Sequence, residues 1–328
     1  MLKNRILITG AAGFIGSHLT EKLVTLGYKV VAFDRYNISN DFNWLNDLRK
    51  NKKKNCKFIL GDIRDYDSVL NAMKDCKAVI HLAALIGIPY SYRSPLAYIK
   101  TNLEGTYNVL EASKNLKIKN TIITSTSEVY GSAQYLPMDE KHPVNSQSPY
   151  AASKASADQL ALSYYRSFDL PVKIIRPFNV YGPRQSERAI IPTIIKQALQ
   201  NNKKNFNLGN LNPTRDFSYV EDTVNAFIEV MKNKKIFGQI LNVGSNKKIS
   251  ISLLSKEIMK LTNNKRLINI NPERKRPKLS EVENLLCNNK KIKKITNWKP
   301  KTNLKKGLKK TLEWFKKNKT YHYNQYII

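Results

Sequence analysis

The chain has 328 residues, enough for two domains or for one domain with an elaborated second lobe, and its formal net charge is +31, from 56 Lys+Arg against 25 Asp+Glu. Its three cysteines have no C-x-x-C spacing, so they suggest neither a disulfide framework nor a metal site and are typical of a reduced, cytoplasmic protein. The opening segment lacks the length and cleavage site of a signal peptide, and no apolar run approaches the ~18 residues of a membrane-spanning helix.

Much of the positive charge lies late in the chain, where residues 290–319 hold thirteen lysines and a single acid, Glu313. Clustered positive charge attracts polyanions, so one interpretation is binding to nucleic acid or to an anionic membrane. However, Leu304, Leu308 and Leu312 recur every four residues, which is typical of a helix that packs one face and leaves its lysines in water. We favour the second interpretation and expect no nucleic-acid partner, although part of the charge is suited to a nucleotide diphosphate.

The first predicted elements are an apolar strand at residues 5–9, a glycine-rich turn with G-x-x-G-x-x-G spacing, and a helix. Glycines in such a turn let the backbone approach a pyrophosphate, and the free N–H groups of the helix N-terminus attract its negative charge. The pattern therefore predicts a dinucleotide-binding turn. Its candidate cofactor contacts are Gly10, Gly13, Phe14, Ile15 and Gly16.

The second predicted strand, residues 29–33, ends in Asp34. A carboxylate at this position of a dinucleotide-binding sheet meets the ribose hydroxyls of adenosine and repels a 2′-phosphate. Asp34 therefore favours NAD over NADP, although the guanidinium of the neighbouring Arg35 is able to pair with a phosphate.

Several further elements precede the central part of the chain. We expect a short helix and a surface loop over residues 39–55, strands at 57–60 and 78–82, and an amphipathic helix at 101–113. Between the last two, residues 85–94 are rich in Tyr, Ile and Pro, and we interpret them as a loop placed to cover a substrate.

Residues 121–154 combine a strand, a polar cluster and a helix. Pro149 fits the first turn of that helix, which places Tyr150 and Lys154 four residues apart on one face. Because an ammonium nearby favours the phenolate, it lowers the pKa of the tyrosine, and the pair becomes a base that works near neutral pH. A chance, solvated pair is the alternative, but ligands of open α/β sheets bind at the end of such a strand. The polar cluster there is Ser125, Thr126 and Ser127.

After a strand at residues 172–175 the alternation of strands and helices loosens. We therefore expect a cofactor-binding domain of residues 1–178, to which residues 215–244 return the chain and add a strand at 239–243. The substrate-binding lobe then comprises residues 179–328, mainly 179–214 and 245–328.

Seven sequence motifs succeed one another along the chain: T-G-A-A-G-F-I-G (9–16), G-D-I-R-D (61–65), H-L-A-A (81–84), T-N-L-E-G-T (101–106), Y-A-A-S-K (150–154), R-P-F-N-V-Y-G-P-R (176–184) and R-D-F-S-Y-V-E-D (215–222). In this order they resemble the extended short-chain dehydrogenase/reductase family over nearly the whole chain. T-S-E-V-Y-G (126–131) is similar to the nucleotide-sugar 4,6-dehydratases, and residues 133–150 are similar to dehydratases of nucleotide-linked N-acetylglucosamine in legionaminic-acid-type pathways.

The resemblance implies an α/β fold, with a Rossmann-type doubly wound parallel sheet and a smaller mixed α/β substrate-binding lobe, and it implies NAD as the cofactor. Asp62 would contact the adenine, and Asn102 would steady the active site. The cofactor contacts implied in this way, beyond the glycine turn, are Asp34, Asp62, Ile63, Ala83, Ala84, Tyr150, Lys154 and Pro177.

The resemblance also implies a reaction. Tyr150, assisted by Lys154, would remove the proton of the sugar 4-hydroxyl while hydride passes to NAD, and Thr126 would bond the developing oxyanion at C4. Glu128, the carboxylate of the T-S-E cluster, is the candidate base for the C5 proton before the 6-hydroxyl leaves and hydride returns to C6. Some relatives carry an acid at position 127, where this chain has Ser127, so either Glu128 or a water would protonate the leaving hydroxyl.

The expected substrate is a nucleotide-diphosphate sugar, N-acetylglucosamine linked to GDP or UDP. Its candidate contacts are Asn179, Arg184, Arg215 and Arg276, because arginine binds a diphosphate bidentately. Apolar and aromatic residues on more than one face of the helices at 95–113 and 149–168, together with the resemblance, predict a homodimer built on a four-helix contact.

Three other functions are compatible with the motifs. Nucleotide-glucuronate decarboxylases share the T-S-E-V-Y-G run but need a cation aimed at the C6 carboxylate, whereas a dehydratase needs a base at C5. Sugar 4-epimerases need no acid at position 128. A non-catalytic NAD-binding sensor on the same fold would be expected to lack the Tyr150 and Lys154 pair, which this chain retains.

Overall fold

The computed structural model describes residues 3–50, 55–200 and 205–318. Residues 51–54 of the expected surface loop and Lys319 of the lysine-rich segment lie outside these ranges. The described strands are β1 (Lys3–Thr9), β2 (Tyr28–Arg35), β3 (Cys56–Gly61), β4 (Ala78–His81), β5 (Thr121–Thr124), β6 (Val172–Pro177), β7 (Asn179–Tyr181), β8 (Phe206–Leu208), β9 (Thr214–Tyr219), β10 (Gln239–Val243), β11 (Lys248–Ser250) and β12 (Ile268–Ile270). The described α-helices are α1 (Phe14–Thr25), α2 (Asn46–Lys50), α3 (Tyr66–Met73), α4 (Ile88–Arg93), α5 (Pro95–Tyr98), α6 (Gly105–Asn115), α7 (Pro149–Phe168), α8 (Ile190–Leu199), α9 (Val220–Lys232), α10 (Ile251–Leu261), α11 (Lys290–Ile295) and α12 (Leu304–Lys317).

The largest sheet is parallel and has seven strands in the order β10-β6-β5-β4-β1-β2-β3. Its strands are apolar on both faces, as a sheet covered by helices on both sides requires. In β1, Ile6 and Ile8 pack into one core and Leu7 into the other. Helices α1 and α9 cover the first face, whereas α3, α6 and α7 cover the second. This is the predicted doubly wound, Rossmann-type fold.

The strand order reverses between β1 and β4, since the chain builds outward through β2 and β3 on one side and through β5 and β6 on the other. Loops at the carboxyl ends of the strands therefore diverge at this point and leave a crevice, which is where open α/β sheets bind ligands. The glycine turn comes directly after β1, and residues 81–84 come at the end of β4. The fold thus brings two of the predicted cofactor segments together.

The second part of the chain forms two small sheets. One has the order β11-β9-β7, and the other pairs β12 with β8. Strand β9 lies in the first of these, so the chain returns to the large sheet only after Tyr219, through α9, which packs on α1, and β10, which pairs with β6. The sequence placed this return a few residues earlier, because the partners of β9 are remote in the chain and leave no local signal.

Two helical segments differ from the sequence-based expectation. The expected loop at residues 85–94 contains the short helix α4, which has Pro89 in its first turn. The hydroxyl of Tyr98 donates a hydrogen bond to the Gly87 carbonyl (2.5 Å) and fixes the chain just before that helix. The expected helix at 101–113 begins as a π-helical turn, Ile99–Glu104, before α6. Such turns frequently accompany functional sites.

The lysine-rich segment ends in α12, which packs by its leucine stripe. Leu308 and Leu312 are buried, whereas Lys305, Lys309 and Lys316 on the same helix are exposed. The amphipathic interpretation of this segment is therefore confirmed for the described residues. Among all the residues that the structure describes, no helix has the length and apolar character needed to cross a bilayer.

This packing generates a prediction about stability. We expect Leu308→Ala to lower the free energy of unfolding by about 2–5 kcal/mol, because truncating a buried leucine loses apolar burial and leaves a cavity. Lys309→Ala, one residue further on the exposed face, is the matched control and should change it by less than about 0.5 kcal/mol. Urea unfolding of the two variants measures the difference. Equal effects would show that α12 does not pack as described.

Candidate active site

The turn after β1 approaches the end of β4 closely because its glycines have no side chains. Gly10 has φ +68°, and a Cβ on it would lie 2.8 Å from the backbone nitrogen of Ala83. A Cβ on Gly16 would lie 2.1 Å from the carbonyl oxygen of Gly10. Only glycine fits at either position, and the turn leads directly into the N-terminus of α1 at Phe14 and Ile15. The backbone therefore forms a cradle of the kind that binds a pyrophosphate.

Asp34, at the end of β2, is attached to this turn. One carboxylate oxygen accepts a hydrogen bond from the Ala12 N–H (2.6 Å) and the other from the Arg35 N–H (2.8 Å). Burial raises the pKa of Asp34, whereas these two bonds lower it. The carboxylate thus lies beside the glycine turn, at the position predicted for the ribose hydroxyls.

Asp62 and Ile63 lie just after β3. The Asp62 carboxylate binds the guanidinium of Arg64, with Nε–Oδ1 at 2.9 Å and Nη2–Oδ2 at 2.5 Å, and this pairing lowers the pKa of Asp62. Its side chain is therefore engaged by a neighbour for which the sequence predicted no role. Ile63 is buried against Gly105, and its carbonyl accepts a hydrogen bond from Asn108.

His81, at the end of β4, connects three elements and has no role in the sequence-based prediction. Its Nδ1 lies 2.7 Å from Thr9 Oγ1 and its Nε2 lies 3.2 Å from Thr106 Oγ1. Burial, together with the charge of Lys154, lowers the pKa of His81 to about 3. The ring therefore stays neutral and ties β1, β4 and α6 together beneath the site. A polar residue that ends an apolar strand was the available signal.

Tyr150 and Lys154 lie in the first turns of α7, which starts as predicted. Ser148 caps the helix by accepting the Ala151 N–H (3.1 Å), and Pro149 occupies the first turn. Both side chains of the pair are buried. Burial lowers the pKa of Lys154 to about 8, so its charge is retained near neutral pH.

The expectation that the lysine lowers the pKa of Tyr150 is wrong for the protein alone. Burial raises the pKa of Tyr150; a hydrogen bond with Thr126 works in the opposite direction, and the charge of Glu128 raises it further. The sequence showed the cation but not the low-dielectric surroundings, which disfavour the phenolate. The phenolate form of Tyr150 is therefore disfavoured in the protein alone.

Asn102, in the π-helical turn, connects α7 to the segment that begins at Leu85. Its Oδ1 accepts the Leu85 N–H (2.8 Å), and its Nδ2 donates to the Leu85 carbonyl (3.0 Å) and to Ser153 Oγ (2.9 Å). Ser153 in turn donates to the Tyr150 carbonyl (2.8 Å). Asn102 thus fixes the position of Tyr150 relative to the loop that starts at residue 85.

Glu128 lies just after β5, in the one-turn 3-10 helix Ser127–Tyr130, which Thr126 caps by accepting the Glu128 N–H (3.2 Å). Its carboxylate lies 3.4 Å from Arg276 Nη1, and the residue as a whole is only 8% exposed. Arg215, also buried, pairs with Glu281 (3.2 Å), and its pKa responds to the charges of both Glu128 and Arg276. Three of the predicted site residues therefore form one charged cluster.

The remaining candidates are placed differently. Asn179, in β7, has a buried Oδ1 that no described residue bonds, which suits a ligand contact. Arg184 pairs with Glu21 of α1 (3.0 Å), so it does not join Arg215 and Arg276. Pro177 is buried at the end of β6, and Ala84 lies beyond β4 beside Ala83. Nowhere in residues 3–50, 55–200 and 205–318 do three His, Cys, Asp or Glu side chains converge as a metal site would require.

Known proteins resemble this chain along almost its whole length. It is 34% identical to the dTDP-D-glucose 4,6-dehydratase of Homo sapiens, over 96% of this chain and 90% of the relative. It is also 34% identical to the UDP-N-acetyl-alpha-D-glucosaminuronate decarboxylase of Bacillus cytotoxicus, over 96% and 98%. The solved UDP-glucuronic acid 4-epimerase of Bacillus cereus, in complex with UDP-glucuronic acid and NAD, has a TM-score of 0.88 and 30% identity, over 95% and 99%.

The catalytic pair, the glycine cradle and the charged cluster thus occur in a chain that is similar to a dehydratase, a decarboxylase and an epimerase. Residues 7–311 match the family described as GDP-mannose 4,6 dehydratase. The chain therefore belongs to that family of nucleotide-sugar dehydratases and epimerases within the extended short-chain dehydrogenases/reductases.

Proposed function

We propose that this enzyme is a nucleotide-sugar 4,6-dehydratase. The observation that carries the proposal is the buried Glu128 carboxylate, which shares a short segment with Thr126 and lies close enough to Tyr150 for its charge to raise the pKa of that tyrosine. Oxidation at C4 needs only one base, Tyr150. Elimination across C5 and C6 needs a second base, and Glu128 supplies one.

NAD is the cofactor, and the residues of this chain fit it. The seven-stranded sheet would hold it, with the pyrophosphate over the Gly10 turn, where any side chain would collide, and the adenosine ribose at Asp34. When bound, NAD supplies the acceptor of the C4 hydride, its later donor to C6, and a positive charge near Tyr150. That charge is the further cation that the raised pKa of Tyr150 calls for.

We assign the proton transfers to Tyr150 and Glu128. Tyr150 takes the proton of the 4-hydroxyl, and Thr126, which bonds Tyr150, is placed to bond the oxygen at C4. The ketone formed at C4 makes the C5 proton acidic, and Glu128 removes it. Since Ser127 is a poor acid, Glu128 itself or a water delivers the proton to the C6 oxygen, which leaves as water. The product is a 4-keto-6-deoxy sugar.

For the substrate, we propose N-acetylglucosamine linked to GDP or UDP, in a legionaminic-acid-type pathway. The similarity of residues 133–150 to such dehydratases supports this choice. The lobe built from residues 179–214 and 245–328 would hold the nucleotide sugar, with Arg215 and Arg276 on the diphosphate and the unpaired Asn179 amide oxygen as a neutral contact. Arg184 is a weaker candidate because it pairs with Glu21 of α1 and does not join the cluster of Arg215 and Arg276.

One observation favours a second candidate, a nucleotide-glucuronate decarboxylase. Arg276 lies 3.4 Å from Glu128, so a cation of the kind that a decarboxylase needs lies beside the candidate C5 base, and one relative is named as a decarboxylase. A 4-epimerase is less well supported because it needs no acid at position 128. A non-catalytic sensor is disfavoured by the buried Tyr150 and Lys154 pair.

The protein is also proposed to be a cytoplasmic homodimer. Its three cysteines are free thiols, which suits a reducing compartment. The helices α6 and α7 pack on the sheet, and α5 packs against α7. All three helices still expose large apolar side chains, which a four-helix contact with a second copy would cover. These side chains, including one from the intervening π-turn, are Leu96, Ile99, Tyr107, Tyr165 and Phe168.

The substrate proposal is tested by product mass. Purified protein with NAD is incubated separately with GDP- and UDP-N-acetylglucosamine, dTDP-glucose and UDP-glucuronic acid. We expect one of the N-acetylglucosamine nucleotides to lose one water without net reduction of NAD. Loss of carbon dioxide from the glucuronate substrate would instead assign the decarboxylase function.

The two bases are separated by Tyr150→Phe and Glu128→Gln. Tyr150→Phe should lose every step, because the 4-hydroxyl keeps its proton; loss of a general base typically costs ~10²–10⁴ fold. Glu128→Gln should still oxidise C4, so quenching with borodeuteride should place deuterium at C4 of sugar that has kept its water. Exchange of the C5 hydrogen with deuterated solvent should slow in the same variant. Dehydration by Glu128→Gln at the native rate would exclude Glu128 as the base.

Assembly is tested by sedimentation at micromolar concentration. We expect a dimer for the native chain and a monomer for Tyr107→Glu, since a charge would be buried in the contact. Leu267→Glu is the matched control, because Leu267 is 71% exposed on the second lobe, outside these helices. A native chain that sediments only as a monomer would contradict the proposal.

A further inference from the structure

A buried carboxylate continues the catalytic face of α7. Asp158 is fully buried and lies four residues after Lys154, as Lys154 lies four residues after Tyr150. Residues at this spacing lie above one another on a helix. No sequence motif pointed to Asp158, and none of the proton or hydride steps uses it.

Two donors and an ion pair converge on one oxygen of this carboxylate. Asp158 Oδ2 accepts hydrogen bonds from Ser125 Oγ (2.7 Å) and from Arg176 Nε (2.9 Å), and it forms an ion pair with Arg176 Nη2 at 2.9 Å. The other oxygen, Oδ1, is buried and makes no hydrogen bond with any described residue. Arg176 is itself buried, and its guanidinium stacks on the ring of Tyr130 at 4.8 Å. Asp158 thus joins α7, the end of β5 and β6.

The charges around Lys154 indicate what this network does. The titratable groups whose charges couple to Lys154 are Asp158 of α7 and His81 of β4, and His81 is neutral; Tyr150 lies one turn before Lys154 on the same helix face. Burial lowers the pKa of Lys154, and the charge of Asp158 opposes that effect. Burial likewise raises the pKa of Asp158, which Arg176 and Ser125 oppose. Arg176 and Ser125 therefore favour the ionised carboxylate, and that carboxylate favours the ammonium.

We propose that Asp158 is a positioning residue of this enzyme: anchored by Arg176 and Ser125, it holds Lys154 as the ammonium beside Tyr150 and fixes the strand end that carries Thr126. The inference rests on the proposed function insofar as Tyr150 is the base for the 4-hydroxyl. A neutral lysine would leave the phenolate of Tyr150 without its cation. The Asp158 charge also raises the pKa of Tyr150 directly, but Asp158 lies two turns from Tyr150 and Lys154 only one, so removal of the Asp158 charge weakens the base through the lysine.

The titration of Lys154 tests this directly and needs no substrate or cofactor. The protein is labelled with ¹³Cε-lysine, and the Lys154 resonance is assigned by its loss in Lys154→Arg. We expect a midpoint near pH 8 in the native chain, as its pKa of about 8 implies. In Asp158→Asn the midpoint should fall by roughly two pH units, the effect of removing an opposite charge one helical turn (~6 Å) away at an effective dielectric constant of ~20.

Two controls separate this effect from loss of packing. Lys173, whose Nζ donates to the Val230 carbonyl (2.9 Å) and whose pKa burial lowers to about 7, should titrate unchanged in Asp158→Asn. Asp222→Asn removes another buried carboxylate, one that accepts the N–H groups of Lys301 (3.1 Å) and Thr302 (2.8 Å). It should lower stability yet leave the Lys154 midpoint where it is.

Activity gives a second readout. In Asp158→Asn, kcat should fall with KM unchanged, and the alkaline limb of the pH profile should move to lower pH. If that variant does not fold, because Arg176 is left buried and unpaired, the double variant Asp158→Asn with Arg176→Met removes both charges and should show the same lowered midpoint.

A Lys154 midpoint equal to that of the native chain, in either folded variant, overturns the proposal. A lowered midpoint in a protein that dehydrates none of the substrates supports it, while the failure would then lie with the proposed function.

Discussion

The burial of the Lys154 ammonium beside Tyr150 is the constraint on which the rest of the site depends. Removing an ion from water costs several kcal/mol even after relaxation, so a buried cation persists only with compensation. The fold supplies it through Asp158, whose ionised form Arg176 favours, and through a neutral His81 that adds no second positive charge. Several polar side chains beneath the crevice therefore stabilise one buried cation.

The site comprises two groups of side chains. Tyr150 and Lys154 lie on α7, whereas Glu128 follows β5 and pairs with Arg276. In the proposed reaction the first group serves the oxidation at C4, and the second acts on the resulting ketone. Relatives of this chain are named as dehydratases, decarboxylases and epimerases, and under this proposal changes around Glu128 and Arg276 would decide the fate of the ketone.

Local patterns predicted the large sheet and the start of α7, because apolar strands, a glycine turn and Pro149 have strong short-range preferences. Sequence motifs also identified Glu128, Arg215 and Arg276 as candidate site residues, and these residues do cluster. The features that the sequence could not show depend on distant partners: the helix α4, fixed by the Tyr98 hydroxyl, the pairing of β9, and the raised pKa of Tyr150. Each of these features depends on tertiary contacts or burial, which the spacing of residues in the sequence does not reveal.

The buried lysines have a consequence for the whole molecule. Lys154 and Lys173 release their protons near pH 8 and pH 7 in the folded chain, whereas a lysine of the unfolded chain does so near pH ~10.4. Between these values the unfolded state binds more protons, so the contribution of both residues to the free energy of unfolding rises with pH. That gain is lost as the pH falls toward 8 for Lys154 and toward 7 for Lys173. These two residues therefore increase the free energy of unfolding as the medium becomes more alkaline.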